Sequence, residues 1–153
     1  MPRPTDRTPP ASGRFHRLAA ALVIAAASLI FIPAPRAVAQ TPCVANATTL
    51  CLNNGRFKVQ VSWRVVSQGT SGVGTGIPLT GDTGEFWFFS ANNIELVVKV
   101  VDGRAFNNHY WVFYGALSDV AYTITVTDSQ TGVVKTYDNP QGHLASNADI
   151  VAF

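Results

Sequence analysis

The clearest pattern in the chain is a strict alternation of apolar and polar residues over positions 56–65. The apolar set on one side is Phe57, Val59, Val61, Trp63 and Val65. A period of two with β-branched and aromatic residues predicts a strand with one solvated face.

Similar short segments recur and are separated by turn-forming residues. A Pro78-containing stretch at 77–80 predicts an edge strand, because proline cannot donate to a sheet ladder. In 94–101, Glu95 and Lys99 are expected to face outward, and Asp102-Gly103 signals a tight hairpin. The Gly-rich stretch 67–76 is predicted to be a mobile loop. The remaining predicted strands are 85–89, 106–116, 121–127 and 133–137.

This spacing predicts an all-β fold, specifically an immunoglobulin-like antiparallel β-sandwich of about seven strands. Leu117-Ser118-Asp119 precedes a strand that carries Tyr122 near its start. This order resembles the tyrosine corner of immunoglobulin-like and fibronectin-like domains, in which the tyrosine hydroxyl bonds back to the preceding corner. The chain departs from that pattern because it lacks a cysteine pair between the two sheets. The resemblance is architectural and implies nothing about function.

The first forty residues have a different character. Four arginines precede an uncharged apolar run over 18–32, and the small-residue pattern Ala37-Val38-Ala39 follows. This order predicts a cleaved secretory signal peptide over 1–39. A membrane anchor is the alternative, but the run is short of the roughly 20 residues that span a bilayer. We therefore expect a Sec-type exported protein, secreted, periplasmic or on the cell surface, with an N-terminal segment 40–55 and a β-sandwich domain 56–153.

Removal of the signal peptide changes the charge of the chain. The formal charge of the full sequence is +2, but from Gln40 onward six basic residues oppose eight carboxylates. The mature chain offers no basic patch for nucleic acid or anionic lipid. Its two cysteines, Cys43 and Cys51, predict a disulfide in an oxidising compartment. The alternative of a metal pair lacks nearby histidines.

Several segments together resemble a module that recurs in secreted bacterial proteins. They are LCLNNGRFKVQVSW, GEFWFF, NIELVVKVVDGR, WVFYGALSDVAYTITVTD and TGVVKTYDNPQG. That module has no established activity. The resemblance implies export, a β fold and the domain limits, and it implies no catalytic or ligand residue.

Catalytic chemistry has little support in the sequence. The chain has no H-E-x-x-H, G-x-S-x-G or C-x-x-C motif, and His109 and His143 are isolated. Aspartates such as Asp82 and Asp128 lie in predicted turns, where their side chains bond to nearby amides. Calcium held between loops is the alternative for these carboxylates. We expect no cofactor, no metal site and no catalytic residue.

Two aromatic segments are the unusual feature. Positions 86–89 and 110–114 are apolar on both strand faces, which indicates either that both faces are covered or that one aromatic face is exposed. Because tyrosine tolerates water at its tip, Tyr110 and Tyr114 are expected outside and Trp111 and Phe113 inside. The candidate binding residues are Trp87, Phe89, Tyr110 and Tyr114.

The sequence therefore favours a secreted, non-catalytic binding or structural module. Its partner would be a glycan or an extracellular protein held by an aromatic face. A first alternative is an immunoglobulin-like protease inhibitor acting through loops, with 67–76 as the candidate loop. A second alternative is a weak hydrolase. We expect no nucleic-acid partner and no membrane span in the mature chain.

Overall fold

The computed structural model describes residues 41–153, so the predicted signal peptide 1–39 and Gln40 lie outside the described residues. Strands make up most of this region, with a 3-10 helix at Val66–Gln68 and one short α-helix, α1, at Arg104–Asn107. The strands are β1 Leu50–Leu52, β2 Phe57–Val65, β3 Thr70–Val73, β4 Thr75–Pro78, β5 Thr83–Trp87, β6 Leu96–Asp102, β7 Tyr110–Ala116, β8 Ala121–Asp128, β9 Val134–Asn139 and β10 Ser146–Asp149.

The strands form two antiparallel sheets of five strands each. The first sheet has the order β1-β2-β8-β9, and β3 also pairs with β2. The second has the order β10-β7-β6-β5-β4, which confirms that the strand containing Pro78 lies at an edge. The predicted all-β class is confirmed. No helix within residues 41–153 has the length and apolar character needed to cross a membrane.

One hydrophobic core is shared by the two sheets. The alternation in β2 buries Phe57, Val59 and Val61, and their cross-strand partners in β8 include Ile124 and Val126. The second sheet contributes Phe86, Leu96, Val98, Val100 and Val112 to the same core. The period of two read from the sequence is therefore the period of burial, as expected for strands with one covered face.

The glycine-rich segment 67–76 is not a loop, so that prediction is wrong. Its residues form all of β3 and the start of β4, and the chain changes sheets between these strands at Gly74. Added methyl groups would collide with the core here: a Cβ on Gly72 would lie 2.6 Å from Trp63 Cζ2, and one on Gly76 would lie 2.9 Å from Leu50 Cγ. The glycines provide clearance for neighbouring side chains.

The N-terminal segment is fastened to the first sheet. Cys43 and Cys51 form the predicted disulfide, with their Cα atoms 5.6 Å apart. Cys51 lies in β1 and pairs with Lys58 of β2. The bond therefore ties the segment before β1 to a strand that is already part of the sheet.

Two local predictions fail. Tyr122 is buried, but its hydroxyl has no hydrogen-bond partner among the described residues, so the bond that defines a tyrosine corner is not made. Asp102-Gly103 does connect paired strands, but the connection includes α1 and is longer than a tight hairpin turn. The second difference matters because α1 carries the side chain of Phe106 to the surface.

Candidate recognition surface

Strand β7 divides its aromatic residues between two faces. Tyr110 and Val112 belong to the core and Tyr114 packs against it, whereas Trp111 and Phe113 lie on the opposite face of the second sheet. The prediction that the tyrosines face outward is therefore wrong. The physical reason is the register with β6, which sets Val112 beside the buried Val100 and so gives the even-numbered positions to the core.

Tyr110 can be buried because its hydroxyl has a partner. The residue is 6% exposed, and Arg56 donates from Nη1 to its hydroxyl oxygen over 3.0 Å. Arg56 also makes two hydrogen bonds to Asp128, of 2.7 and 3.1 Å. The guanidinium carbons of Arg56 and Arg104 lie 4.2 and 4.7 Å from the tyrosine ring centroid. These contacts give Tyr110 a structural role.

The ion pair of Arg56 and Asp128 is itself almost enclosed. Burial raises the pKa of the Asp128 carboxyl and is the largest single effect, but the hydrogen bonds from Arg56, Gln130 and Thr131 together outweigh it, so the pKa is lowered. The hydrogen bond to Asp128 also raises the pKa of Arg56, against the opposing effect of its burial. Both groups are therefore charged at neutral pH.

Tyr114 also packs on the inner face of the second sheet. Its ring lies 5.5 Å from that of Tyr137 and 6.4 Å from that of Tyr122. Burial raises the pKa of Tyr114, with a smaller contribution from Asp138. Its ring is therefore part of the packing between the sheets.

Three of the aromatic residues that face outward form a cluster, which we call the outer aromatic surface: Phe106, Trp111 and Phe113. Phe106 is 82% exposed, and its ring centroid lies 5.6 Å from that of Trp111. The rings of Trp111 and Phe113 are 6.2 Å apart and nearly perpendicular. An aromatic cluster on a sheet face is a typical binding surface.

The indole of Trp111 is held in place from two sides. A Cβ on Gly103 would lie 2.1 Å from Trp111 Cε2, so the ring lies directly against the backbone of that glycine. Trp111 Nε1 donates a hydrogen bond of 2.8 Å to Asn107 Oδ1. Asn107 is fixed in turn, because its amide nitrogen donates to the carbonyl of Ile150 over 2.7 Å. The central ring of the surface is therefore pre-organised.

The rim of this surface mixes charged and aliphatic side chains. Lys99 stands beside Phe113 in the sheet register, is exposed as predicted, and belongs to none of the ion pairs within 41–153. Asp102 and Arg104 form an exposed ion pair of 2.6 Å. Beyond Asn107, Ile150 and Val151 are exposed. An apolar centre with a polar rim is the composition of a protein interface.

The other two candidate residues lie elsewhere. Trp87 is half-buried in β5 and contacts no other aromatic ring of the described chain. Phe89 follows the end of that strand, where its ring lies 4.8 Å from Trp63. The structure therefore does not join Trp87, Phe89, Tyr110 and Tyr114 into one site. The candidate binding residues do not include Phe106. It lies in an exposed one-turn helix, which the alternation of apolar and polar residues in strands cannot reveal.

The histidine and carboxylate groups are spread over the fold. His109 Nδ1 lies 3.2 Å from the carbonyl oxygen of Phe153. Asp82 accepts from the hydroxyls of Thr80 and Thr83, which lower its pKa, and Asp128 accepts from the amide of Gln130. These are the turn bonds that the sequence predicts. In the part of the chain that is described, no three histidine, cysteine, aspartate or glutamate side chains could together hold a metal ion.

Comparisons of the chain with protein-family models, with curated proteins and with solved structures find no match. The resemblance to a module of secreted bacterial proteins therefore stays a prediction.

Proposed function

We propose that the protein is a secreted, non-catalytic binding module, an immunoglobulin-like β-sandwich that recognises a protein partner through its outer aromatic surface. The observation that carries the proposal is the partly exposed ring of Trp111, which is fixed in place, beside the exposed ring of Phe106. A large ring that is already immobile loses little conformational entropy when a partner covers it. Tryptophan is also among the residues that contribute most to protein interfaces.

The arrangement favours a protein over a glycan at this surface. Sugar chains stack on flat rings, but the planes of Phe106 and Trp111 differ by 40° and those of Trp111 and Phe113 by 80°. The amide of Asn107, the nearest polar group to the indole, already uses both its oxygen and its nitrogen within the fold. Tilted rings with exposed Ile150 and Val151 beside them suit an uneven apolar surface on another protein.

The protease-inhibitor alternative has weaker support. Its candidate loop, 67–76, contains β3 and the start of β4, which pair with β2 and β5. An inhibitory segment needs to protrude into a cleft, and a paired strand does not. The hydrolase alternative has no supporting observation among residues 41–153.

The proposal is tested by immobilising the protein and exposing it to the extracellular fraction of the organism that produces it. The variant Phe106→Ala/Trp111→Ala removes the surface. Leu144→Ala is the matched control, because Leu144 is 72% exposed and lies in the loop at the opposite end of the strands. We expect retention of a specific partner to fall at least tenfold in the double variant and to be unchanged in the control.

Two results would count against a heterologous protein partner. Equal retention by all three proteins would show that the outer aromatic surface is not used. Sedimentation analysis showing a dimer of the wild type that dissociates in the double variant would show that the partner is a second copy of this chain.

A further inference from the structure

The two sides of the sandwich, where the edges of the sheets lie, differ in how the sheets meet. On one side the backbone joins them: the amide of Gly76 in β4 donates to the carbonyl of Ala47, just before β1, over 2.9 Å. On the other side β9 ends the first sheet and β10 ends the second, and no backbone ladder joins these two strands within residues 41–153. We call the free edges of β9 and β10 the open side.

The hydrogen bonds between β7 and β10 show which backbone groups are free at this edge. The amide of Ala116 donates to the carbonyl of Ala145 over 2.9 Å. Because bonded and non-bonded pairs alternate along an antiparallel ladder, the backbone groups of Ser146 and Ala148 point away from β7. Both residues are exposed. A row of free amides and carbonyls of this kind is a template on which a strand of another molecule can pair.

Both strands of the open side carry a charged side chain on their inner face. Lys135 lies opposite Val126 in the ladder of β9 with β8, and Asp149 lies opposite Val112 in the ladder of β10 with β7. Residues directly opposite each other share a face of the sheet, and both valines are fully buried in the core. Lys135 and Asp149 therefore lie on the core side of their sheets, at the rim.

These two charges meet across the gap between the sheets. Lys135 Nζ lies 3.6 Å from Asp149 Oδ2, and the hydroxyl of Tyr137 donates to the same oxygen over 2.9 Å. Burial and the hydrogen bond to Asp149 raise the pKa of Tyr137, so its hydroxyl is protonated and able to donate at neutral pH. The side chains of Lys135 and Asp149 keep 38% and 17% of their surface in contact with solvent.

A charge in this position opposes the pairing of a further strand. A strand of a second copy that paired with β9 or β10 would extend that sheet beyond its present edge and cover the rim of the inner face. Lys135 and Asp149 would then lose the water that now solvates them. The desolvation of an ion pair can exceed the attraction between its charges, so strand pairing becomes unfavourable.

The apolar residues at the start of β9 make this protection necessary. Val133 and Val134 are about half exposed beside the free edge. An edge strand with exposed apolar side chains favours association with other strands unless a charge or an irregularity opposes it.

We propose that Lys135 and Asp149 together keep the open side of the sandwich from pairing with a second copy of this chain. The pair acts at the strand edges and not at the outer aromatic surface, so the inference goes beyond the proposed protein-binding function. Either one can fail while the other holds.

The experiment is analytical ultracentrifugation of the purified protein over a range of concentrations. Lys135→Met/Asp149→Asn removes both charges and keeps an amide oxygen that can accept from Tyr137. The two single variants each leave one inward charge in place. Arg104→Met/Asp102→Asn is the matched control, because it removes an ion pair of 2.6 Å at the connection between β6 and β7, which are not edge strands.

We expect the wild type, the single variants and the control to sediment alike, and the average mass of Lys135→Met/Asp149→Asn to rise about twofold or more with concentration. Amide hydrogen exchange should slow in β9 or β10 of that variant only, because strand pairing protects the edge amides. Circular dichroism checks folding. Lys135→Gln/Asp149→Asn is a second neutral variant with the same expectation, in case the first does not fold.

Three results would overturn the proposal. The first is a folded neutral variant that sediments like the wild type. The second is association of that variant without protection of amides in β9 or β10, which would place the contact elsewhere. The third is a wild type that already associates with those amides protected. None of these results bears on retention of a partner by the outer aromatic surface, which the Phe106→Ala/Trp111→Ala variant tests separately.

Discussion

Strands β5 and β7 have similar aromatic sequences but lie in different surroundings. Both carry aromatic residues on their two faces, and both bury one set, Phe86 in β5 and Tyr110 in β7. The outward ring of β5, Trp87, is half-buried and isolated from other rings of the described chain. The outward rings of β7 join Phe106 in a cluster.

The difference comes from what lies next to each strand. A glycine, Gly103, adjoins Trp111 and lets its ring lie against the backbone, and α1 places Phe106 beside it. The partner of Trp87 across the ladder is Thr75, which offers no ring. In this fold, the aromatic strand therefore presents a cluster of rings where its connections supply clearance and further rings.

The largest expected effect is on the inner side of β5. Phe86 is fully buried, so Phe86→Ala should lower the free energy of unfolding by about 3–5 kcal/mol. Phe106→Ala, at an exposed ring, should change it by less than about 0.5 kcal/mol. Urea unfolding measures both. Similar losses in the two variants would show that the inner and outer rings are not distinguished by burial.

Asp128→Asn tests the buried polar contact of β7. The substitution weakens the ion pair that holds Arg56 in position to donate to the Tyr110 hydroxyl. We expect a loss of about 2 kcal/mol at pH 7. Because folding lowers the pKa of Asp128, its contribution is present above the unfolded value of about 4 and is lost as the pH falls through the folded pKa.

The difference between wild type and Asp128→Asn should therefore be constant from about pH 5 to 8 and shrink below about pH 4. Asp102→Asn is the matched control, since Asp102 also pairs with an arginine and has a pKa of about 2 but is exposed. Its removal should change stability little, because solvent screens an exposed pair. A difference that persists unchanged at pH 2 would contradict the role given to Asp128.

Gly103→Ala tests whether the ring of Trp111 needs the space that a glycine leaves at position 103. The added methyl group collides with the indole, so we expect a loss of about 1–3 kcal/mol and a shift in tryptophan fluorescence. Gly115→Ala in β7, the strand that carries Trp111, is the control, because a Cβ there meets nothing within 4 Å. An unchanged emission spectrum in Gly103→Ala would mean that the ring is not held against the backbone.

The smallest effect concerns two tyrosines that contact Tyr114 of β7. Tyr122→Phe removes a hydroxyl without a partner among the described residues, so stability should stay within about 0.5 kcal/mol of wild type or rise. Tyr137→Phe removes a hydrogen bond of 2.9 Å to Asp149 and should cost about 1 kcal/mol. Thermal unfolding of the two variants compares them, and a larger loss in Tyr122→Phe would reveal a partner for its hydroxyl.

The sequence predicts features that depend on local pattern. The alternation in β2, the edge position of Pro78 and the disulfide of Cys43 and Cys51 all follow from residue types at short range. The facing of β7 does not, because a strand that is apolar on both sides carries no information about which side is inside. Its register with β6 decides, and register is a tertiary property.

Two other errors have the same origin. Glu95 was expected to face outward as a charged residue, but it is buried, where its carboxylate accepts from the amide of Phe88 over 2.7 Å and from Asn93. The glycines of 67–76 suggested mobility, but at Gly72 and Gly76 their absent side chains make room for Trp63 and Leu50. The fold of the turn before Glu95 decides the burial of that residue. Side chains of other strands decide the role of the two glycines.

The central claim, that the outer aromatic surface holds a protein partner, is tested most directly by site-specific photo-crosslinking. Benzoyl-phenylalanine replaces Phe106 in one variant and Leu144 in the other, and each is irradiated in the extracellular fraction of the producing organism. We predict a discrete protein adduct from position 106 that wild-type protein in excess abolishes, and none from position 144. Equal, non-competable labelling from the two positions, or no adduct from position 106, would contradict the claim.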